Sequence, residues 1–359
     1  MVLDFAKEAL QNVSTHSINF DELRAGKANI KVFGAGGAGC NAVTWLFNKG
    51  ISGATIYAVN TDALHLSITK ADEKILIGKE LTRGLGCGGF PQKGREAAKE
   101  SLSELKKATS AADMVFVLSG LGGGTGTGAA PVIAQLAKES GAVVIGVVTM
   151  PFDCERARHD KAEFGLQELT EVVDTVIVID NNRLVDIAGN LPMEQAFAVA
   201  NELVSTMIKG IVETITLPSL INLDYADVSA IMKNGDVAVI GVGESDTQSR
   251  VDEAVRQALT HPLLDVDYRG ATGALIHITC GPDFKLEEFA GVGELVTENI
   301  SQDAQVIIGA RVNKDFANKV RVITIMTGVR SPYVLGRKAI HEETAARTEI
   351  SDLGIEVFR

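Results

Sequence analysis

From Asn29 onward the chain alternates between two patterns. Short, almost unbroken apolar runs rich in β-branched residues lie at Ile30–Phe33, Ala54–Val59, Met114–Leu118, Val143–Val148 and Thr175–Ile179. Helical spacing fills the intervals, at Asn41–Lys49, Gly94–Ala108 and Thr127–Ser140. Strands that do not alternate polar with apolar positions are buried on both faces, so this order predicts a parallel sheet covered by helices on each side. Ligands of such sheets bind at the carboxyl ends of the strands. A longer helical pattern runs from Met193 to about Thr214, with Phe197, Leu203, Met207 and Ile211 among its apolar positions. It is too apolar for a surface helix and predicts a buried connector. After Pro218 the rhythm changes. Strand patterns at Val237–Val242, Ala274–Thr279, Val306–Val312 and Val320–Met326, with helices at Gln248–Leu259 and Leu286–Ile300, predict a smaller α+β domain. The expected organisation is a helical extension over 1–28, a first domain with the central helix over 29–217, a second domain over 218–330 and a charged tail over 331–359. No internal repeat interrupts it.

Composition narrows the class. At 359 residues and 46% hydrophobic, the chain can bury two cores. A net charge of −12 with no basic stripe argues against nucleic acid as a partner. Cys40, Cys87, Cys154 and Cys280 lie far apart and form no C-x-x-C pair, so neither a zinc site nor a disulfide framework is indicated. Free thiols suit a reducing cytoplasm. The longest apolar run, Ala142 to Met150, is too short to span a bilayer, and the acidic N-terminus lacks a signal-peptide core. The expectation is a cytosolic protein without direct membrane insertion.

Glycine carries the candidate chemistry. Gly120 to Gly128 holds six glycines in nine positions, between a strand pattern and an alanine-rich helix pattern. Such a loop offers backbone N–H groups at a helix N-terminus, the geometry and dipole that phosphate requires. A second match, Gly34-x-Gly36-x-x-Gly39, follows the first strand; alone it reads as a dinucleotide-binding turn. Gly84 to Pro91 is a third glycine loop, and Asn60-Thr-Asp-Ala63 closes the second strand with polar residues. No Gly-x-x-x-x-Gly-Lys-Ser/Thr segment occurs. Asp224 and Asp227, three apart, fall on one side of a starting helix, where they suit either chemistry or capping. The residues by themselves leave a Rossmann-type nucleotide-dependent oxidoreductase open.

The run Gly-Gly-Gly-Thr-Gly-Thr-Gly from Gly122 to Gly128 resembles the signature of the tubulin superfamily, and Met150-Pro151-Phe152 resembles its prokaryotic branch, FtsZ. The resemblance extends from about Asn29 to Val329. It implies the tubulin/FtsZ fold: a Rossmann-like GTPase domain joined by a long central helix to an α+β domain. It also implies GTP or GDP as ligand, with Mg²⁺ held mainly through the nucleotide and no dedicated metal residues. Gly36, Gly37, Ala38, Gly39, Cys40 and Asn41 would line the diphosphate. Gly122, Gly123, Gly124, Thr125, Gly126 and Thr127 would grip the phosphates from the other side. The third loop would face the γ-phosphate, although Cys87 and Phe90 replace the Ala and Asn usual in relatives. Glu155 matches the family's ribose ligand. An arginine follows four positions later in relatives; here that position is His159, and the nearby Arg158 is the favoured substitute. Asn181 matches a contact to base or sugar. Phe197 would stack on the base and Asn201, one turn on, would read the guanine edge. Asn222-x-Asp224-x-x-Asp227 matches the family's catalytic loop, which reaches the nucleotide of the next subunit. By resemblance the protein is a head-to-tail homopolymer that hydrolyses GTP between subunits and scaffolds the division ring. The ending Leu353-Gly-Ile-Glu-Val-Phe resembles archaeal rather than bacterial members, and residues 351–359 would recruit a SepF-like membrane anchor. A non-hydrolysing tubulin-like structural protein is a further alternative, against which both aspartates speak.

Overall fold

The computed structural model describes residues 28–217, 219–221, 223–233, 237–260, 268, 270–298 and 300–329. The expected helix of the N-terminal extension, the tail with its terminal peptide 351–359, and Asn222 lie outside these residues.

Six parallel strands form the first sheet: β1 (Ile30–Ala35), β2 (Ala54–Asn60), β3 (Glu73–Leu76), β4 (Met114–Gly120), β5 (Val143–Met150) and β6 (Thr175–Asp180). Their order is β3-β2-β1-β4-β5-β6, so the chain reverses its direction of growth between β1 and β4. The helices are α1 (Gly36–Lys49), α2 (Ala63–Ile68), α3 (Lys79–Thr82), α4 (Pro91–Glu100), α5 (Leu102–Thr109), α6 (Thr125–Glu139), α7 (His159–Thr170) and α8 (Asn181–Ala188). Alternate strand residues feed two cores. Phe33, Val115 and Val117 meet Ala97, Leu105, Ile133 and Leu166 on one face. Val32, Phe116 and Leu118 meet Val43 and Leu46 of α1 and Met207 of the central helix on the other. Burial on both faces is why the strand pattern is almost continuously apolar.

The central helix α9 (Met193–Thr216) spans 24 residues. Its buried Ile208 and Ile211 share one core with the first sheet and with Ile240, Leu275, Ile323 and Ile325 of the second. After α10 (Tyr225–Lys233) come β7 (Ala238–Ser245), α11 (Arg250–Leu259), β8 (Gly273–Cys280), α12 (Leu286–Thr297), β9 (Gln305–Val312) and β10 (Val320–Thr327). These strands are ordered β7-β10-β8-β9. β10 runs antiparallel to both neighbours and β8 parallel to β9. Among the described residues no helix is long and apolar enough to cross a membrane.

Several elements depart from the sequence expectation. β3 is an edge strand of four residues with two charges, too short to carry a periodic signal. α1 begins at Gly36 and α6 at Thr125, so the glycine loops themselves form first helical turns. The expected helix Gly94–Ala108 breaks at Ser101, whose hydroxyl accepts from Gly78 N at 3.2 Å.

Candidate functional site

The two principal glycine loops lie side by side where β1 and β4 end, at the reversal of strand order. Gly36 has φ +72°, and a Cβ there would lie 2.6 Å from Gly126 N. A Cβ on Gly126 would in turn lie 2.5 Å from Ser119 Oγ and 3.1 Å from Ala35 O. The loops therefore touch backbone to backbone. By contrast, Gly37 and Gly123 have nothing within 4 Å of an added Cβ, so the space above both loops is open. Here α1 and α6 begin, 14 and 15 residues long. Neither has a side-chain cap or an acidic residue in its first turn. Uncapped N-termini leave backbone N–H groups and the positive ends of two helix dipoles facing one gap, which is an anion site.

Side chains around this gap hold one another. Thr125 Oγ1 lies 2.7 Å from Thr61 Oγ1. Thr127 turns toward Gly165 of α7, and its hydroxyl is buried without a hydrogen-bond partner. Cys40 is fully buried and burial pushes its thiol up to about 11, so only its main chain can serve a ligand. Asn41 is exposed at the gap, and its Oδ1 lies 3.2 Å from His65 Nε2. His65 Nδ1 lies 3.2 Å from Asn60 Nδ2. The amide donor of Asn60 thus faces Nδ1, leaving the proton on Nε2 to be donated to Asn41. His65 was not singled out in the sequence; its partners are brought to it by the fold. Asp62 caps α2 by accepting from His65 N at 3.0 Å. The third loop packs against this wall. Gly86 N donates to Thr61 O at 3.2 Å, and a Cβ on Gly124 would meet Cys87 Cβ at 2.7 Å.

On the far side of Gly122 stands the 3₁₀ turn Asp153–Arg158. A Cβ on Gly122 would lie 2.8 Å from Arg158 O, so the glycine loop and this turn are in contact. Glu155 accepts from Phe152 N at 3.2 Å and pairs with Arg158 Nη1 at 2.7 Å. His159 Nε2 lies 3.1 Å from Phe152 O instead. Of the two side chains, Arg158 is the one joined to Glu155. Asn181 is half-buried at the first position of α8. Its neighbour Asn182 donates from Nδ2 to Asp153 Oδ1 at 3.0 Å and ties the turn to the end of β6. Phe197 stands edge-on to Phe152, ring centroids 5.9 Å apart. It is 39% exposed, and Asn201 one turn on is half-buried.

Asp224 and Asp227 lie elsewhere. They exchange hydrogen bonds: Asp227 N donates to Asp224 Oδ1 at 2.9 Å and Asp224 N to Asp227 Oδ2 at 3.2 Å. Both carboxylates thus cap α10. Tyr225 Oη donates to Asp113 O at 2.8 Å, immediately before β4 begins. Thr175 Oγ1, on the first residue of β6, donates to Met232 O at 2.6 Å. These contacts hold α10 at the amino edge of the parallel sheet. The glycine loops are at its carboxyl edge, a seven-residue strand away, or about 20 Å at about 3.3 Å per residue.

Comparison with known proteins decides the family. Residues 29–189 match the model of the Tubulin/FtsZ family GTPase domain, and residues 236–330 match the FtsZ family C-terminal domain. The chain is 52% identical over 340 residues to cell division protein FtsZ 2 of Methanocaldococcus jannaschii, covering 94% of this chain and 89% of that one. It is 53% identical over 313 residues to cell division protein FtsZ 1 of Archaeoglobus fulgidus, covering 87% and 85%. A solved FtsZ dimer from M. jannaschii superposes with a TM-score of 0.80 at 51% identity, covering 86% and 90%. The chain belongs to the FtsZ family.

It is accordingly a GTP-binding, GTP-hydrolysing cytoskeletal protein of archaeal FtsZ type that polymerises and functions in cell division. The oxidoreductase and non-hydrolysing readings fall away. Within this FtsZ the structure gathers the residues singled out in the sequence into two groups. Gly36–Asn41, Gly122–Thr127, Glu155, Arg158 and Asn181 cluster around the carboxyl ends of β1, β4, β5 and β6, with Phe197 joined to them through Phe152. Asp224 and Asp227 form the other group, at the opposite edge.

Proposed function

We propose that the GTPase site of this FtsZ is completed only between adjacent subunits. The observation that carries this reading is the separation of the two groups. One chain cannot bring Asp224 and Asp227 to its own glycine loops, but head-to-tail stacking sets the amino edge of one sheet over the carboxyl edge of the next. In this reading the N–H groups of Gly36 to Asn41 and Gly122 to Thr127 bind the phosphates. Glu155 takes the ribose hydroxyls, with Arg158 as its cationic partner. Asn181 contacts base or sugar, Phe197 stacks on the ring and Asn201 pairs with the guanine edge. The neighbour's Asp224 and Asp227, with Asn222, orient the attacking water and accept its proton. Mg²⁺ neutralises charge on the phosphates when bound. Among the described residues no group of three His, Cys, Asp or Glu could hold an ion, and we assign it to nucleotide oxygens and waters. The test is turnover per chain against chain concentration. It should be negligible below the polymerisation threshold and rise above it; constant turnover in a strictly monomeric sample overturns the reading.

The proposed location is the cytoplasmic face of the division site, reached through the terminal peptide. Leu353, Ile355 and Val357 alternate with Gly354 and Glu356, a period suited to an added strand, with Phe358 as an anchor. Deleting 351–359 is expected to leave GTP turnover and polymerisation intact. Recruitment to vesicles bearing a SepF-like anchor should be lost, and unchanged recruitment would remove this assignment.

A further inference from the structure

One face of the second sheet turns toward α9, and part of it carries charge where a helix-packing surface is ordinarily apolar. Strand register aligns Arg321 of β10 with Thr279 of β8, and Thr279 with Arg311 of β9. Two residues along on the same face are Ile323 and His277, also in register. Ile323 closes on the helix: a Cβ on Gly210 would lie 2.3 Å from its Cδ1. Beyond that contact the surfaces part around a cavity of about 270 Å³. The helical side contributes Lys49, Thr206, Lys209 and Glu213; the sheet contributes Arg311, Arg321, Thr279 and His277.

The lining holds four cations and a single carboxylate. Glu213 lies 3.7 Å from Lys209 Nζ and 3.7 Å from Arg311 Nη1, too far for a direct hydrogen bond to either. Lys49 also engages Glu202, and Arg321 engages Glu244 at 2.6 Å, both outside the lining. Lys209 and Arg311 are therefore left to share one distant counter-charge. His277 adds an independent sign of a missing partner. It is 4% exposed and its Nδ1 is buried with no hydrogen bond. Burial, reinforced by Arg311, holds its ring down to about 4, so at neutral pH it is an uncharged donor–acceptor. An apolar occupant would strip water from cations without compensating them, whereas an oxyanion supplies both charge and acceptors. The volume is several times the roughly 30 Å³ that a water molecule occupies in the liquid.

We propose that this cavity binds a small multivalent oxyanion of the phosphate class, held between Lys209 and Arg311 and contacted by His277. The site is separate from the nucleotide gap, and its occupant joins α9 to the second sheet. The experiment is calorimetric titration of the full chain, saturated with GDP and free of Mg²⁺, with inorganic pyrophosphate at constant ionic strength. GDP keeps the nucleotide gap filled. One saturable site per chain is expected. Arg311→Gln should weaken it about tenfold or more, the loss of one charge-assisted contact. Lys209→Gln should weaken it and Lys209→Arg should restore it. Glu213→Gln, which removes the only carboxylate from the lining, should tighten binding several-fold, a gain that damage to the fold would not produce. Absence of saturable binding, or an affinity indifferent to both Arg311→Gln and Glu213→Gln, overturns the proposal.

Discussion

Replacing Asp224 by alanine is expected to leave GTP bound and filaments formed while phosphate release falls about a hundredfold or more. Loss of a positioned general base or water-orienting carboxylate is worth about 10²–10⁴ in rate. The competing effect is structural, since Asp224 Oδ1 accepts from Asp227 N at the head of α10. Removing such a cap costs about 1 kcal/mol. α10 is also anchored by buried Val228, Ile231 and Met232, so the fold should survive. Asp224→Asn separates the two effects, because an amide oxygen still caps but does not take a proton at neutral pH. Phosphate release and sedimentation are the measurements. Slow turnover in both variants with normal sedimentation supports catalysis by the carboxylate. Near-normal turnover in Asp224→Asn would reduce Asp224 to a cap.

The second large effect is expected at Gly123. Nothing lies within 4 Å of a Cβ there, so Gly123→Trp can fold. The indole then occupies the gap proposed for the phosphates, and nucleotide retention should be abolished while the melting temperature changes little. Gly124 is the worse target, because a Cβ would meet Cys87 Cβ at 2.7 Å and Phe90 N at 3.0 Å. Mixing Gly123→Trp with Asp224→Ala makes the sharper measurement. The first chain binds no GTP but keeps both aspartates; the second binds GTP but lacks one. Turnover should reappear in the mixture. If the mixture co-sediments and stays silent, catalysis does not cross the interface.

The glycine loops and the strand–helix alternation were legible because they are local. Phosphate-binding backbone needs glycine in sequence, and strands buried on both faces must be apolar throughout. What escaped the sequence is what only packing assembles. His65 is 24 residues from Asn41 and is made meaningful by two hydrogen bonds that the fold creates. The edge strand Glu73–Leu76 pairs only with β2 and is half polar, so neither length nor period marks it. α7 carries only a weak helical period, because His159–Thr170 mixes charged residues with small buried ones such as Ala162 and Gly165. The break at Ser101 follows from a contact with Gly78, 23 positions away. Asp224 and Asp227 show the opposite case. Spacing alone left capping and chemistry open, and the hydrogen bonds give them the capping role within one chain.

The position of α10 at the amino edge of the first sheet, held by Tyr225 on Asp113 O, makes the two ends of any filament chemically unlike. On the shared-site reading, a row of n subunits contains n − 1 finished sites. One terminal subunit displays a nucleotide that no neighbour can attack, and the other displays aspartates with nothing to act upon. Each arriving subunit therefore either arms the previous terminus and leaves its own triphosphate uncovered, or has its own triphosphate armed at once, depending on which end it joins. Growth direction becomes a clock setting: the age of the nucleotide along the row records the order in which subunits arrived.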